Sequence, residues 1–250
     1  MTTTKPFWRL AKLPLAVSLA STLAAPAFGV TFNIGEIEGQ LDSSLSVGAS
    51  WSVRGADPDL VGVRNGGEAS SQTGDDGRLN FKKGETFSKI FKGIHDLELK
   101  YGDTGVFVRG KYWYDFELKD ESRIFKDIDD SNRKQGAQSS GAEILDAFVF
   151  HNMEIGDESL LGVKIGQHNI FWGETLLNPV HSISYGQSGL DLAKLAASPG
   201  TEAKELFMPR KQISASFTLN PEWTFAAQYF LDWNAARLPE CPAAERHLCF

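Results

Sequence analysis

No apolar run in this sequence is long enough to cross a bilayer as a helix. The best, Leu13 to Ala25, is uncharged but falls far short of the roughly 20 residues such a helix needs. It follows Lys5, Arg9 and Lys12 and precedes Ala25-Pro26-Ala27, whose small first and third residues suit signal peptidase. Residues 1–27 therefore read as a secretory signal peptide cut near Ala27, with a short membrane anchor as the alternative. Positive charge is scarce too: 25 Lys+Arg against 32 Asp+Glu gives −7, and loss of the three leader cations leaves 22 against 32, or −10. So acidic a chain is a poor nucleic-acid binder, and no nucleic-acid partner is expected. Cysteine is limited to Cys241 and Cys249, eight residues apart. In an exported protein that spacing suggests a small disulfide-closed loop, the alternative being two unpaired thiols. His247 is the only nitrogen ligand near them, so no metal site is expected there.

An exported chain without helical spans is either soluble outside the cytoplasm or a β-barrel, and periodicity separates the two. Leu45, Val47, Ala49, Trp51 and Val53 interleave with Ser44, Ser46, Gly48, Ser50 and Ser52, one face apolar and the other polar. This first strand is expected over about Gly39–Arg54. Further on, Leu97, Leu99 and Tyr101 alternate with Asp96, Glu98 and Lys100 as far as a hairpin signal at Gly102-Asp103. The return strand places Val106, Val108, Tyr112, Tyr114, Phe116 and Leu118 opposite Arg109, Lys111, Trp113, Asp115 and Glu117. A lipid-facing band with an aromatic girdle explains both faces better than a soluble sandwich. Four more strands follow: Ala142–Ile155, where Phe148 and Phe150 share a face with Asp146 and Asn152; Leu160–Trp172, with Lys164 and His168 on the polar face; Gln212–Leu219; and Trp223–Trp233, with Gln228 and Asp232 on the polar face.

The connections alternate as well. Gly102-Asp103, Gly156-Asp157-Glu158 and Asn220-Pro221-Glu222 are tight, whereas 55–89, 119–141 and 174–210 are long and polar. Asp127 to Asn132 lacks the glycine and closing glutamate of an EF-hand and reads as a solvated acidic loop. Outer-membrane barrels have short periplasmic turns and long outer loops, which fixes the orientation. The expectation is an all-β, antiparallel up-and-down transmembrane barrel over 28–250 with about seven spanning strands. Seven strands leave two unpaired edges in lipid, so the chain is expected to be the N-terminal portion of a larger barrel; an eight-stranded barrel that adds Thr31–Ile37 is the alternative.

Gly166-Gln167-His168-Asn169-Ile170-Phe171-Trp172-Gly173-Glu174-Thr175, Asn178-Pro179-Val180 and Pro199-Gly200-Thr201-Glu202-Ala203-Lys204-Glu205-Leu206-Phe207-Met208-Pro209 resemble recurrent segments of the Gram-negative domain-of-unknown-function family 1302. The resemblance implies a long outer-membrane barrel. It also implies possible partnership with a periplasmic lipoprotein-like protein and an inner-membrane exporter, and movement of hydrophobic or lipid-like molecules. Here Gly166-Gln167-His168 stands where Gly-Arg-Gln is more usual.

No catalytic set stands out: His151 beside Asn152, His168, and His181 beside Ser182 complete no Ser-His-Asp arrangement by spacing, and no enzyme or cofactor is expected. The expected lumen residues are Asp96, Glu98, Lys100, Arg109, Lys111, Trp113, Asp115, Glu117, Lys164, His168, Gln228 and Asp232. Their mixed signs predict a salt-bridged interior rather than a strongly selective pore. Glu174, Lys204 and Glu205 are expected in a loop folded back to constrict that lumen. The functional expectation is an outer-membrane channel or export component for hydrophobic or amphipathic small molecules, or a structural envelope protein without transport.

Overall fold

A computed structural model of the chain describes residues 23–24, 28–70, 75–128, 138–156, 159–172, 183–197 and 203–238. The strands are β1 (Leu23–Ala24), β2 (Phe28–Ile34), β3 (Ile37–Trp51), β4 (Thr86–Tyr101), β5 (Thr104–Asp115), β6 (Ser140–Ile155), β7 (Ser159–His168), β8 (Gly189–Leu190), β9 (Phe207–Met208), β10 (Arg210–Asn220) and β11 (Trp223–Phe230). Five short helices accompany them: α1 (Asp76–Asn80), α2 (Phe116–Asp120), α3 (Ile183–Gln187), α4 (Leu192–Ala197) and α5 (Ala203–Leu206). One antiparallel sheet runs β3-β4-β5-β6-β7-β10-β11 in chain order, with β1 and β2 in tandem along the free edge of β3. The up-and-down meander expected from the alternating connections is therefore present. Among the described residues β11 does not pair with β2, and the sheet is not closed.

The N-terminal edge differs from expectation. An additional strand exists, over Phe28–Ile34 rather than Thr31–Ile37, and it turns through Gly35-Glu36 into β3, with Gly35 at φ 64. Phe28 pairs with Ser43, so β2 covers only half of β3 and is shorter than the roughly 9–11 residues a spanning strand needs. The strands long enough to span, or nearly so, remain the seven read from the sequence. Leu23 and Ala24, inside the expected leader, pair with Val47 and Ser46.

Three strands also end earlier than alternation suggests, and for β5 the reason is local. Alternation suggested that the return strand continues through Leu118, but β5 stops at Asp115. The Asp115 carboxylate accepts from the Glu117 and Leu118 amides at 3.0 and 3.1 Å and caps α2. Asp115 and Glu117 thus belong to a helix start at the strand's end, not to consecutive positions of one strand face. Phe148 and Phe150 share a face with Asp146 by parity alone, and beyond Asp146 the β5–β6 register shifts between Val108 and Gly110. That bulge brings Glu143, of opposite parity, to the same face. Finally, β7 ends at His168 and β11 at Phe230, so Asp232 and Trp233 lie beyond their strand.

Side chains are distributed inside out. Among the described residues the buried large apolar side chains are Val61, Ile94, Leu145 and Met208, while Lys111, Asp115, Asp146, His168, Arg210 and Gln212 are buried polar ones. Phe28, Val47, Val106, Val149, Ile165, Ile213, Phe225 and Tyr229 are exposed on the opposite face. The described residues of the 55–85 connection are more hydrogen-bonded than their composition suggests. Asp75 accepts from Gly62 N and Asn65 Nδ2, hydrogen bonds that hold its carboxyl below the ordinary range. Asn80 grips the second long connection, accepting from Lys126 N and donating to Lys126 O, both at 2.9 Å.

Gly166 has φ 137 and lies where an added Cβ would be 2.4 Å from Ala147 O. Gly110 has open space around it. Gly166→Ala is therefore expected to destabilise the chain by more than about 1 kcal/mol, while Gly110→Ala leaves it unchanged or stabilises it by up to about 1 kcal/mol. Urea unfolding in detergent micelles, followed by near-ultraviolet circular dichroism, measures both.

Candidate functional site

The polar face of β4, β5 and β6 is a lattice of ion pairs. Arg109 grips Asp96 with two nitrogens, at 2.7 and 2.6 Å, and reaches Asp146 at 3.3 Å. Two parallel donors on one carboxylate fix the guanidinium plane as well as its position. Lys111, almost fully buried, pairs with Glu143 at 3.2 Å and stands 5.7 Å from the Trp113 ring centre. The Trp113 indole donates to Gln138 O at 2.9 Å. Lys100 pairs with its near neighbour Glu98 at 2.6 Å, and both are partly open to solvent. On the next strands His168 donates from Nδ1 to Gly166 O and accepts at Nε2 from Ser214 Oγ, so its neutral form is fully used.

Among the described residues this face is covered by 183–197, 203–208 and the stretch after β11. Glu205 is 2% exposed and sits between Lys92 of β4 at 2.9 Å and Lys194 of α4 at 3.1 Å. Arg237 bridges Asp191 and Glu143, each at 3.1 Å. Neutral contacts complete the docking: Gln187 Nε2 donates to Gln228 Oε1, Ser188 to Asn169, and Asn169 to Phe207 O. Burial alone would push the Glu205 carboxyl up, but Lys92 and Lys194 outweigh it and hold the group below the usual carboxylate range. Lys194 carries the opposite burden. Burial, and then the charge of Lys111 beside it, lower its ammonium to about 8, against the pull of Glu205.

The sequence-derived residues therefore divide. Asp96, Glu98, Lys100, Arg109, Lys111, Trp113, Lys164, His168 and Gln228 share one face of the sheet. Glu117 lies on α2 and is held by Lys89 and Arg123, while Asp232 accepts from Lys211 N at 3.1 Å past the end of β11. Glu205 is turned onto the polar face, and Lys204 lies in α5, its side chain outside the described residues. Glu174, Asp129 to Asn132, His181, Ser182, Cys241 and Cys249 lie outside the described residues. Sequence reading missed Lys92, Glu143, Asp191, Lys194, Arg210 and Arg237. Lys92 shares parity with Asp96, but consecutive Ile90 and Phe91 broke the alternation there. Asp191, Lys194 and Arg237 sit outside the long strands and carry no periodic signal.

A family model described as "Protein of unknown function (DUF1302)" matches residues 10–243, and the chain belongs to that family. No curated protein and no solved structure matches it.

Lys194 makes stability depend on pH. Burial and the charge of Lys111 lower its ammonium to about 8 in the folded chain, against 10.5 for a free lysine. Between those values the unfolded chain binds more protons, so stability rises with pH across about 8 to 10.5, while the cost of burying this charge is fully present below about 8. Lys194→Met is expected to lose that rise. Urea midpoints at pH 7 and pH 10 for both proteins check it: the gap between native and variant should move in the native chain's favour on going to pH 10.

Proposed function

We propose that the chain is an outer-membrane β-barrel component that forms a channel or export path for hydrophobic or amphipathic small molecules. The observation that carries this reading is the inside-out sheet: exposed Val, Ile, Leu and aromatic side chains on one face, buried and ion-paired Lys, Arg, Asp and Glu on the other. A soluble sandwich would cover the apolar face and expose the polar one. Lipid on the apolar side and a wet lumen on the polar side meet the requirements of both, because a lipid-facing sheet needs internally paired backbone and apolar side chains. The short turns at Gly35, Gly102, Gly156 and Pro221 share one end, which this reading assigns to the periplasm, and the long connections lie at the other. Cleavage near Ala27 would leave Phe28 as the first residue of β2. The open edges at β2 and β11 are where further strands would complete a wall. A periplasmic lipoprotein-like partner and an inner-membrane exporter are proposed only from what the family resemblance implies.

In this reading residues 183–197 and 203–208 form a constriction docked on the lumen wall, and the Lys92–Glu205–Lys194 triad is its fastening. Removing one member of a buried ion pair leaves uncompensated charge at a cost of about 3–5 kcal/mol, enough to detach a short segment. Glu205→Ala, and replacement of 174–210 by a short turn, are both expected to raise single-channel conductance in planar bilayers. Unchanged conductance in both would sink the constriction. The second reading, an envelope protein without transport, draws on the extensive bracing of the covered face. Liposome swelling with small solutes separates the two, since only a channel admits them.

A further inference from the structure

The polar face has two halves of different electrostatic character. Across β4, β5 and β6 its cations are met by carboxylates: Lys92 by Glu205, Lys100 by Glu98, Arg109 by Asp96 and Lys111 by Glu143. Across β7, β10 and β11 the ionisable side chains on that face are Lys164, His168 and Arg210, and the strand positions between them hold Gly, Ser, Thr, Gln and apolar residues. No carboxylate is among them.

Arg210 and Lys164 are held by rings instead. The Arg210 guanidinium carbon lies 4.5 Å from the ring centres of both Phe230 and Trp233, and the Lys164 ammonium lies 5.3 Å from that of Phe148. Neither makes an ion pair among the described residues, and Arg210 Nε, in a side chain only 2% exposed, has no hydrogen-bond partner. Asp232 accepts from the Lys211 amide and Asp146 is ion-paired with Arg109, so these nearby acids act on Arg210 and Lys164 only through longer-range charge. Aromatic faces offset only part of the cost of burying a cation, so a guanidinium in this position is poised for an anion. Its two covers differ. Phe230 is fixed in the β11 ladder opposite Gln212, whereas Trp233 lies beyond the strand and is 74% exposed.

We infer that Arg210 binds the carboxylate of an amphipathic small molecule, to which Lys164, opposite Ser214 and four positions along the sheet, adds only its longer-range positive charge. The Trp233 indole swings off the guanidinium to admit it, and the apolar part of the ligand lies against Phe230 and Phe148. A planar guanidinium matches a carboxylate with two parallel donors, which an ammonium cannot do. This deepens the channel reading, on which it rests, by giving the solute a negative head.

Octanoate and 1-octanol serve as probes of equal chain length and different charge. The full chain in non-ionic detergent is titrated with each while tryptophan emission is followed, and the chain in liposomes is assayed for octanoate entry. Octanoate is expected to give a saturable change that Trp233→Phe abolishes. Arg210→Gln weakens it at least tenfold, Arg210→Lys and Lys164→Gln severalfold, and octanol responds alike in every protein whose far-ultraviolet spectrum is native. Equal octanoate affinity in native and Arg210→Gln chains overturns the assignment, as does octanol binding as tightly as octanoate. Saturable, Arg210-dependent binding without entry supports the site and removes the channel. Entry that ignores Arg210 does the reverse.

Discussion

A strand sends successive side chains to opposite faces, and everything in this molecule depends on that period of two. Once Val106, Val108 and Tyr112 face one way, Phe107, Arg109, Lys111 and Trp113 must face the other. The polar side chains so gathered cannot remain scattered charges, because they are shielded from bulk water by each other and by the segment that covers them. They pair. Arg109 with Asp96 and Asp146, and Lys111 with Glu143, are the outcome of one sheet face having to neutralise itself.

The covering segment follows the same logic. Glu205 arrives on the polar face as a buried carboxylate and finds Lys92 on the sheet and Lys194 on its own segment. Burial, and then the like charge of Lys111 beside it, leave the Lys194 proton held less firmly than that of an exposed lysine. Arg237 closes the set by joining Asp191 of the segment to Glu143 of the wall. Attachment of this segment is therefore largely polar and directional, with ion pairs and neutral hydrogen bonds supplemented by buried Met208 and the Phe171–Phe207 ring contact.

Much of this was legible in advance. The meander, the alternate placing of turns and long connections, and the faces of β4, β5, β7, β10 and β11 follow from alternation and from glycine-bearing turns. Local chemistry defeated the rest. Asp115 satisfies the amides of Glu117 and Leu118 and so ends a strand whose alternation continues unbroken through Leu118. The bulge near Leu145 changes the parity of β6, which makes one strand look irregular when both of its halves are regular. Phe28–Ile34 was the hardest to place, being about half the length of β3 and adjoining the expected leader.

By itself the sequence determined which side chains share a strand face, because parity along a strand is a property of covalent order. It could not determine which charges meet. Pairing of Glu205 with Lys92 joins residues 113 positions apart, and Arg237 with Glu143 joins residues 94 apart. Such contacts are decided by the direction in which a non-periodic segment turns, by the one-residue shift of a bulge, and by the burial that makes an unpaired charge costly. Those are tertiary quantities, and they convert a polar face into a fastened, and unevenly charged, surface.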